Sequence, residues 1–439
     1  MVSSRKRSIA AMLAVLMIGL PVNAGDRANL EAALGAAKWI RTSAIRSKTG
    51  TVWPPVPDDP PGATNNTLYG GTTGVILFFL EAYRATGDNE HLQEAMAGAN
   101  HLVHSLSSEK NSGLYDGVSG IGFALQETFK ATGEKKYRKA ALESAQLVSR
   151  RAVKAGEGVE WNDSTDIIGG SAGIGLYLLY AASEFKDPRF TELAERAADR
   201  LIELGRPEGG GTKWAMTPGY NRLMPNFSHG TAGVAYFLAT LYQRTKRLQF
   251  LNGALAGAKY LQSIAKTGGD GCLIFHNEPD GRDLYYLGWC HGPTGTARLF
   301  YRLYQATGER VWMDWIRKSA NSVLQSGLPE KQTPGFWNNV SQCCGSAGVA
   351  EFFLSLYQVT HDRRYIDFSK RMTANLLSKA TRDQKGLRWI QAEHRVKPDL
   401  LAAQTGYMQG AAGIGMLLLH LDQVERGKKR SIVLPDSPY

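Results

Sequence analysis

Three of the four cysteines in this 439-residue chain fall at two places, Cys290 and the adjacent pair Cys343–Cys344. Each place leads through a glycine into an apolar run, where a helix N-terminus would lower a thiol pKa. A disulfide between Cys343 and Cys344 would be strained, so three soft donors in this arrangement point to a bound metal rather than to crosslinks. Zinc is the ion that a set of thiolates suits, with three protein ligands and an open position in catalytic sites. His291 follows Cys290 directly and is a candidate fourth metal ligand or a substrate contact. Cys272 stands apart from these motifs and reads as a buried or unpaired thiol.

The cysteines belong to a larger pattern. Gly-x-x-Gly followed by an apolar run occurs seven times, starting at Gly71, Gly117, Gly170, Gly230, Gly292, Gly345 and Gly410. Successive copies lie about 45–65 residues apart, the period of helical-pair arrays. The runs Val75–Tyr83, Ile121–Phe129, Ile174–Ala182, Val234–Tyr242, Thr296–Tyr304, Val349–Tyr357 and Ile414–Leu421 are apolar on nearly all sides, which predicts buried helices. Leu92–Leu106 and Arg138–Ala152 are amphipathic and predict surface helices between them. Alternation of buried and surface helices closes most simply as a double ring, an all-α (α/α)7 toroid. The paired glycines are expected to let helices approach closely. The residues just before them (Gly70, Asp116, Gly169, His229, His291, Cys344 and Gln409) then gather at one mouth of the ring.

The motifs carry a resemblance. Gly288-Trp289-Cys290-His291-Gly292 resembles the Trp-Cys-His-Gly signature of the lanthionine synthetase C-like family, and Cys343-Cys344-Gly345 aligns with that family's Cys-His-Gly. Ser228-His229-Gly230-Thr231-Ala232-Gly233 is similar to its histidine motif, and Asp166 through Gly173 to its aspartate motif. The resemblance spans the chain after the N-terminal segment. It implies zinc-dependent, Michael-type addition of a thiol to a dehydroamino acid, giving a thioether, with Zn2+ held by Cys290, Cys343 and Cys344. His229 and Asp166 would be the catalytic pair that handles protons.

Two positions depart from the family pattern. Cys344 stands where most members have histidine, giving a more anionic ligand set. Tyr286 stands where nisin-type cyclases carry an arginine. The chain also has no dehydratase portion, so the thiol substrate implied is a peptide or a small molecule.

Two other readings fit parts of the sequence. Asp116, Asp163 and Asp166, with Trp161, Trp214 and Trp289, could form the carboxylates and sugar-stacking platforms of an α/α-barrel glycoside hydrolase or lyase. A non-catalytic, zinc-stabilised binder of thiols or peptides is the third reading, favoured by full coordination through Cys290, His291, Cys343 and Cys344.

The net charge of +11 is spread along the chain without a basic stripe interleaved with aromatics, so no nucleic-acid partner is expected. Arg5, Lys6 and Arg7, the apolar stretch Ile9–Leu20 and Val22-Asn23-Ala24 read as a cleaved signal peptide over residues 1–24. Residues 25–439 then form one exported domain, periplasmic or secreted, with no later transmembrane segment.

Overall fold

The computed structural model describes residues 27–58 and 63–439; the expected signal peptide and its cleavage site lie outside the described residues. Each expected buried run is the body of a helix that starts on the first glycine of its motif. These are α2 (Thr72–Thr86), α4 (Val118–Thr132), α6 (Ser171–Phe185), α8 (Thr231–Thr245), α10 (Pro293–Thr307), α12 (Ser346–Thr360) and α14 (Ala411–Glu425), each fifteen residues long. Every one touches the next, and α14 touches α2, so the inner ring is closed. Their partners are the amphipathic helices α3 (Asn89–Ser105), α5 (Lys135–Arg151), α7 (Pro188–Leu204), α9 (Leu248–Ile264), α11 (Arg310–Leu324) and α13 (Arg363–Ser378), each packed on the inner helix before it. The seventh inner helix has no outer helix after it. Its partner is α1 (Ala28–Thr42), from the other end of the chain. The fold is therefore an (α/α)7 toroid in which the first and last described helices complete the last hairpin.

The second glycines do allow the close approach expected, as at Gly74 against Tyr407 and Gly233 against Ile167 of the neighbouring repeats, and the pair has a second job. A Cβ on the first glycine of a motif would collide with the chain about six residues upstream, as at Gly71 with Asn65, Gly117 with Asn111 and Gly345 with Asn339. The second glycine meets the carbonyl six residues before it, as at Gly120 with Leu114 and Gly295 with Trp289. The loop before each inner helix folds back over its first turn. Loop carbonyls accept the early helical N–H groups, for example Val118 N to Asn111 O at 2.9 Å and Ala411 N to Gln404 O at 2.8 Å. No inner helix has a side-chain N-cap, so these carbonyls supply what a Ser or Asp would otherwise provide.

Outside the ring, five short antiparallel hairpins follow outer helices: β1–β2 (Ile45–Ser47, Gly50–Val52), β3–β4 (Val153–Ala155, Gly158–Glu160), β5–β6 (Arg206–Glu208, Gly211–Lys213), β7–β8 (Lys266–Gly268, Gly271–Leu273) and β9–β10 (Thr381–Asp383, Gly386–Arg388). Each lies against the outer helix of the next unit, and β10 lies against α1. Tryptophans after three of them pin the hairpin to the helix it came from. Trp161, Trp214 and Trp389 donate Nε1–H to Val148, Leu201 and Leu376 O at 2.7, 2.6 and 2.9 Å, carbonyls in last helical turns. A sixth hairpin, β11–β12 (Ile390–Ala392, Leu401–Ala403), stands in the loop before α14.

The C-terminal segment fills the barrel from the end opposite the inner-helix N-termini. Asp436, fully buried, takes Arg298 Nη1 at 2.8 Å and the Tyr115 hydroxyl at 3.1 Å. Arg430 reaches Glu351 at 2.8 Å, and Glu351 also takes His420 at 2.9 Å. Tyr439 stacks on Tyr301 with centroids 4.9 Å apart. Among the described residues, no helix is long and apolar enough to cross a membrane.

Candidate metal centre and catalytic pair

At the mouth, the residue two places before each first glycine joins a closed ring of backbone hydrogen bonds. The N–H of Tyr69 goes to Tyr115 O, Tyr115 to Ile168, Ile167 to Ser228, Ser228 to Cys290, Cys290 to Cys343, Cys343 to Met408, and Met408 back to Tyr69, at 2.8–3.2 Å. The one irregularity is the third copy, where Ile167 donates and Ile168 accepts. Cys290 and Cys343 are adjacent members of this ring, so their sulfurs are set by main chain tied on both sides.

All four cysteines are free, and three of them converge. Cys290 Sγ lies 3.2 Å from Cys344 Sγ, which lies 3.3 Å from Cys343 Sγ. All three fall within 4.8 Å of one another. Zinc–sulfur bonds of about 2.3 Å in a tetrahedron set sulfurs about 3.8 Å apart, so the cluster need open by only about 0.5 Å to hold the ion. Soft donors, burial and spacing fit zinc. The thiols share protons: hydrogen bonds from Cys290, Cys344 and Tyr69 hold Cys343 well below the ordinary thiol range. Burial pushes Cys290 up, and its sulfur neighbours push Cys344 up.

His291 is not part of this group. Its ring lies between those of His276 and His229, with centroids at 4.4 and 5.6 Å, and its buried Nδ1 has no partner. Burial, His276 and His229 hold it well below the usual histidine range, so it is neutral. Consecutive residues at a helix start point in different directions, and proximity to Cys290 in sequence does not carry over to the sulfurs. The fully protein-coordinated site expected of a purely structural role is therefore not formed by these four residues.

His229 and Asp166 meet on the rim, Nδ1 to Oδ2 at 2.6 Å. The other Asp166 oxygen accepts the N–H groups of Gly169 and Gly170 at 3.0 and 2.8 Å, so the carboxylate is buried and fixed. Burial lowers the His229 pKa, but the hydrogen bond and charge of Asp166, with the charge of Cys343, outweigh it and leave the pKa raised. With Nδ1–H given to Asp166, Nε2 is the nitrogen free to exchange a proton. Asp116, next along the rim, has one buried oxygen without a partner. Burial and the Asp166 charge push its pKa up to about 6.

Residues 62–434 match the lanthionine synthetase C-like protein family. The chain belongs to that family. Its relatives include glutathione S-transferase LANCL1 of Danio rerio, 21% identical over 306 residues that cover 68% of this chain and 72% of that one. Among solved structures, nisin cyclase superposes with a TM-score of 0.62 at 16% identity, covering 84% of this chain and 91% of its own. An α-1,6-mannanase of Salegentibacter sp. HEL1_6, in an inactive variant, superposes at 0.50 with 16% identity, covering 90% and 98%. At such identities these likenesses concern the fold.

Of the glycosidase constellation, Asp116 and Asp166 are neighbours on the rim of this lanthionine synthetase C-like chain, but the tryptophan platforms do not assemble. Trp161 and Trp214 are spent as hairpin pins, and Trp289 packs beneath the mouth against Tyr115 and Phe227 at 5.4 and 5.6 Å. Asp163 is exposed, whereas Asp166 is engaged with His229. Tyr286 packs on His276 at 4.2 Å, and the positive charge of Arg395, from the β11–β12 loop, acts on it. Cys272 sits in β8, 3.8 Å from Ser319 Oγ, away from the centre.

Tyr69 touches the centre, with Gln409 and then Asn339 behind it; Gln409 was expected at the mouth without a role, and Tyr69 and Asn339 were not expected there. Gln409 Nε2 donates to Tyr69 Oη at 2.8 Å, and Tyr69 Oη lies 3.3 Å from Cys343 Sγ. The signal lay in the repeat: Tyr69 occupies the position of Cys343 in its own motif copy, and Gln409 that of Cys344.

Proposed function

We propose that this protein adds a thiol to an electron-poor carbon–carbon double bond, as in dehydroalanine or dehydrobutyrine, and so forms thioethers on a peptide or small-molecule substrate. In reaction-class terms it is a lyase-type, cyclase-like enzyme. The observation that carries the reading is the convergence of three sulfurs on a ring that also positions the His229–Asp166 pair. Cys290, Cys343 and Cys344 would hold zinc, which supplies a thiolate at neutral pH by lowering the pKa of a thiol bound to it. A three-residue set leaves the fourth position for the substrate, which favours catalysis over a purely structural ion.

His229 would take the proton of the incoming thiol at Nε2 and return one to the carbon next to the carbonyl once the new carbon–sulfur bond has formed. Asp166 holds the ring in the tautomer this needs and steadies the imidazolium. The test is metal analysis with a thiol-addition assay across several electrophiles. One zinc per chain, lost in Cys290→Ala, and activity lost in His229→Ala with zinc retained support the reading. Equal inactivity of wild type and His229→Ala across the electrophiles removes the catalytic assignment.

The proposal includes export, on the charge and hydropathy of residues 1–24. N-terminal sequencing of the mature protein tests it, with a start just after Ala24 expected.

A further inference from the structure

Tyr69 is held in a directed chain of donors that ends on a sulfur. Asn339 Nδ2 faces Gln409 Oε1 at 3.4 Å, which fixes the side-chain amide so that its nitrogen points the other way, 2.8 Å from Tyr69 Oη. With the phenol oxygen accepting from Gln409, its hydrogen is free to go to Cys343 Sγ, 3.3 Å away. The Tyr69 backbone cannot drift, because its N–H and carbonyl are both members of the mouth ring. The Gln409 carbonyl in turn accepts Gln391 Nε2. Asn339 Oδ1 anchors the turn into the Cys343 motif through Ser341 N at 3.0 Å. The relay thus links the first, sixth and seventh repeats at one sulfur.

The other side-chain hydrogen bonds to the three sulfurs, among the described residues, come from the sulfurs themselves. Those S–H groups are lost when the thiols become ligands, whereas the tyrosine hydroxyl stays. Three thiolates around a divalent ion carry a net charge of −1, and a neutral donor aimed at one of them spreads that charge. Phenylalanine would fill the same space without it.

We propose that Tyr69, oriented by Gln409, is a positioning residue of the metal centre that fixes the direction and moderates the charge of the Cys343 ligand. The proposal rests on the three sulfurs being a metal site. Its test is the full chain loaded with cobalt(II), which takes zinc sites and reports sulfur ligation through its charge-transfer absorption. Hydrogen bonding stabilises sulfur lone pairs, so Tyr69→Phe should move that absorption to lower energy. The same variant should hold zinc about 10-fold more weakly in competition with a chelator. Gln409→Leu keeps the phenol but frees its hydroxyl, and should shift the absorption the same way by less. It also decides the matter if Tyr69→Phe does not fold. Unchanged absorption and affinity in the folded variants would overturn the proposal. Wild type without any sulfur-to-cobalt absorption would instead remove the metal-site reading beneath it.

Discussion

Asp166 grips His229 with one carboxylate oxygen and the backbone of its own helix start with the other. The histidine is thereby tied to the turn of α6, and a change at Asp166 alters both its orientation and its basicity.

Asp166→Asn should retain metal and lower the rate of thiol addition by about 10²–10⁴-fold, as expected when a positioned base loses its orienting carboxylate. The pH profile should move as well. A raised His229 pKa means that the neutral, basic form appears only as pH climbs through that value. Without the carboxylate the inflection should shift to lower pH. An unmoved inflection would show that His229 is not the group titrating.

Cys344→His should keep one zinc per chain, because histidine is a competent zinc ligand. Cys290→Ala should leave the metal substoichiometric. Mass spectrometry under non-denaturing conditions distinguishes the two, and loss of metal in both would mean that the site tolerates no change of donor.

Glu351, inside the barrel, predicts acid sensitivity. Burial disfavours its charge, but His420 and Arg430 overcome this and bring its pKa from 4.5 to about 2. A carboxylate depressed in this way contributes stability above its unfolded value and loses it as pH falls through the folded one. That contribution, on the order of 3 kcal/mol, should fade between about pH 4.5 and pH 2. Glu351→Gln should flatten that slope in denaturant titrations. At neutral pH it should cost about 3–5 kcal/mol, since Arg430 is left buried without its partner.

Trp389→Phe should cost about 1 kcal/mol through the lost bond to Leu376 O, and Trp389→Ala about 3–5 kcal/mol, since the ring is almost fully buried. The half-buried Trp161 should cost less for the same truncation. Reversal of that order in urea unfolding would contradict the pinning role.

The repeat was legible because its glycines answer to the backbone, which tolerates no side chain where the loop crosses the first helical turn. The sulfurs were legible because cysteine is rare and its spacing chemical. His291 stands outside the sulfur cluster because neighbours along a chain need not be neighbours in a site. Tyr69 went unnoticed because a tyrosine beside glycines looks like packing, and its sulfur lies 274 positions away. Strands of three residues are too short to give a periodicity to detect. The C-terminal filling of the barrel was hidden for the opposite reason: Asp436 and Arg430 look like solvent-facing charges until their buried partners are known.

The clasp between α1 and α14 governs how the molecule can be made. As the chain leaves the ribosome, six hairpins can form in order, each from adjacent segments. The first helix must wait, its hydrophobic side uncovered, for a mate nearly four hundred residues behind it. Until that mate arrives the molecule is an open horseshoe, and shutting it requires bringing together the first and last of the described helices.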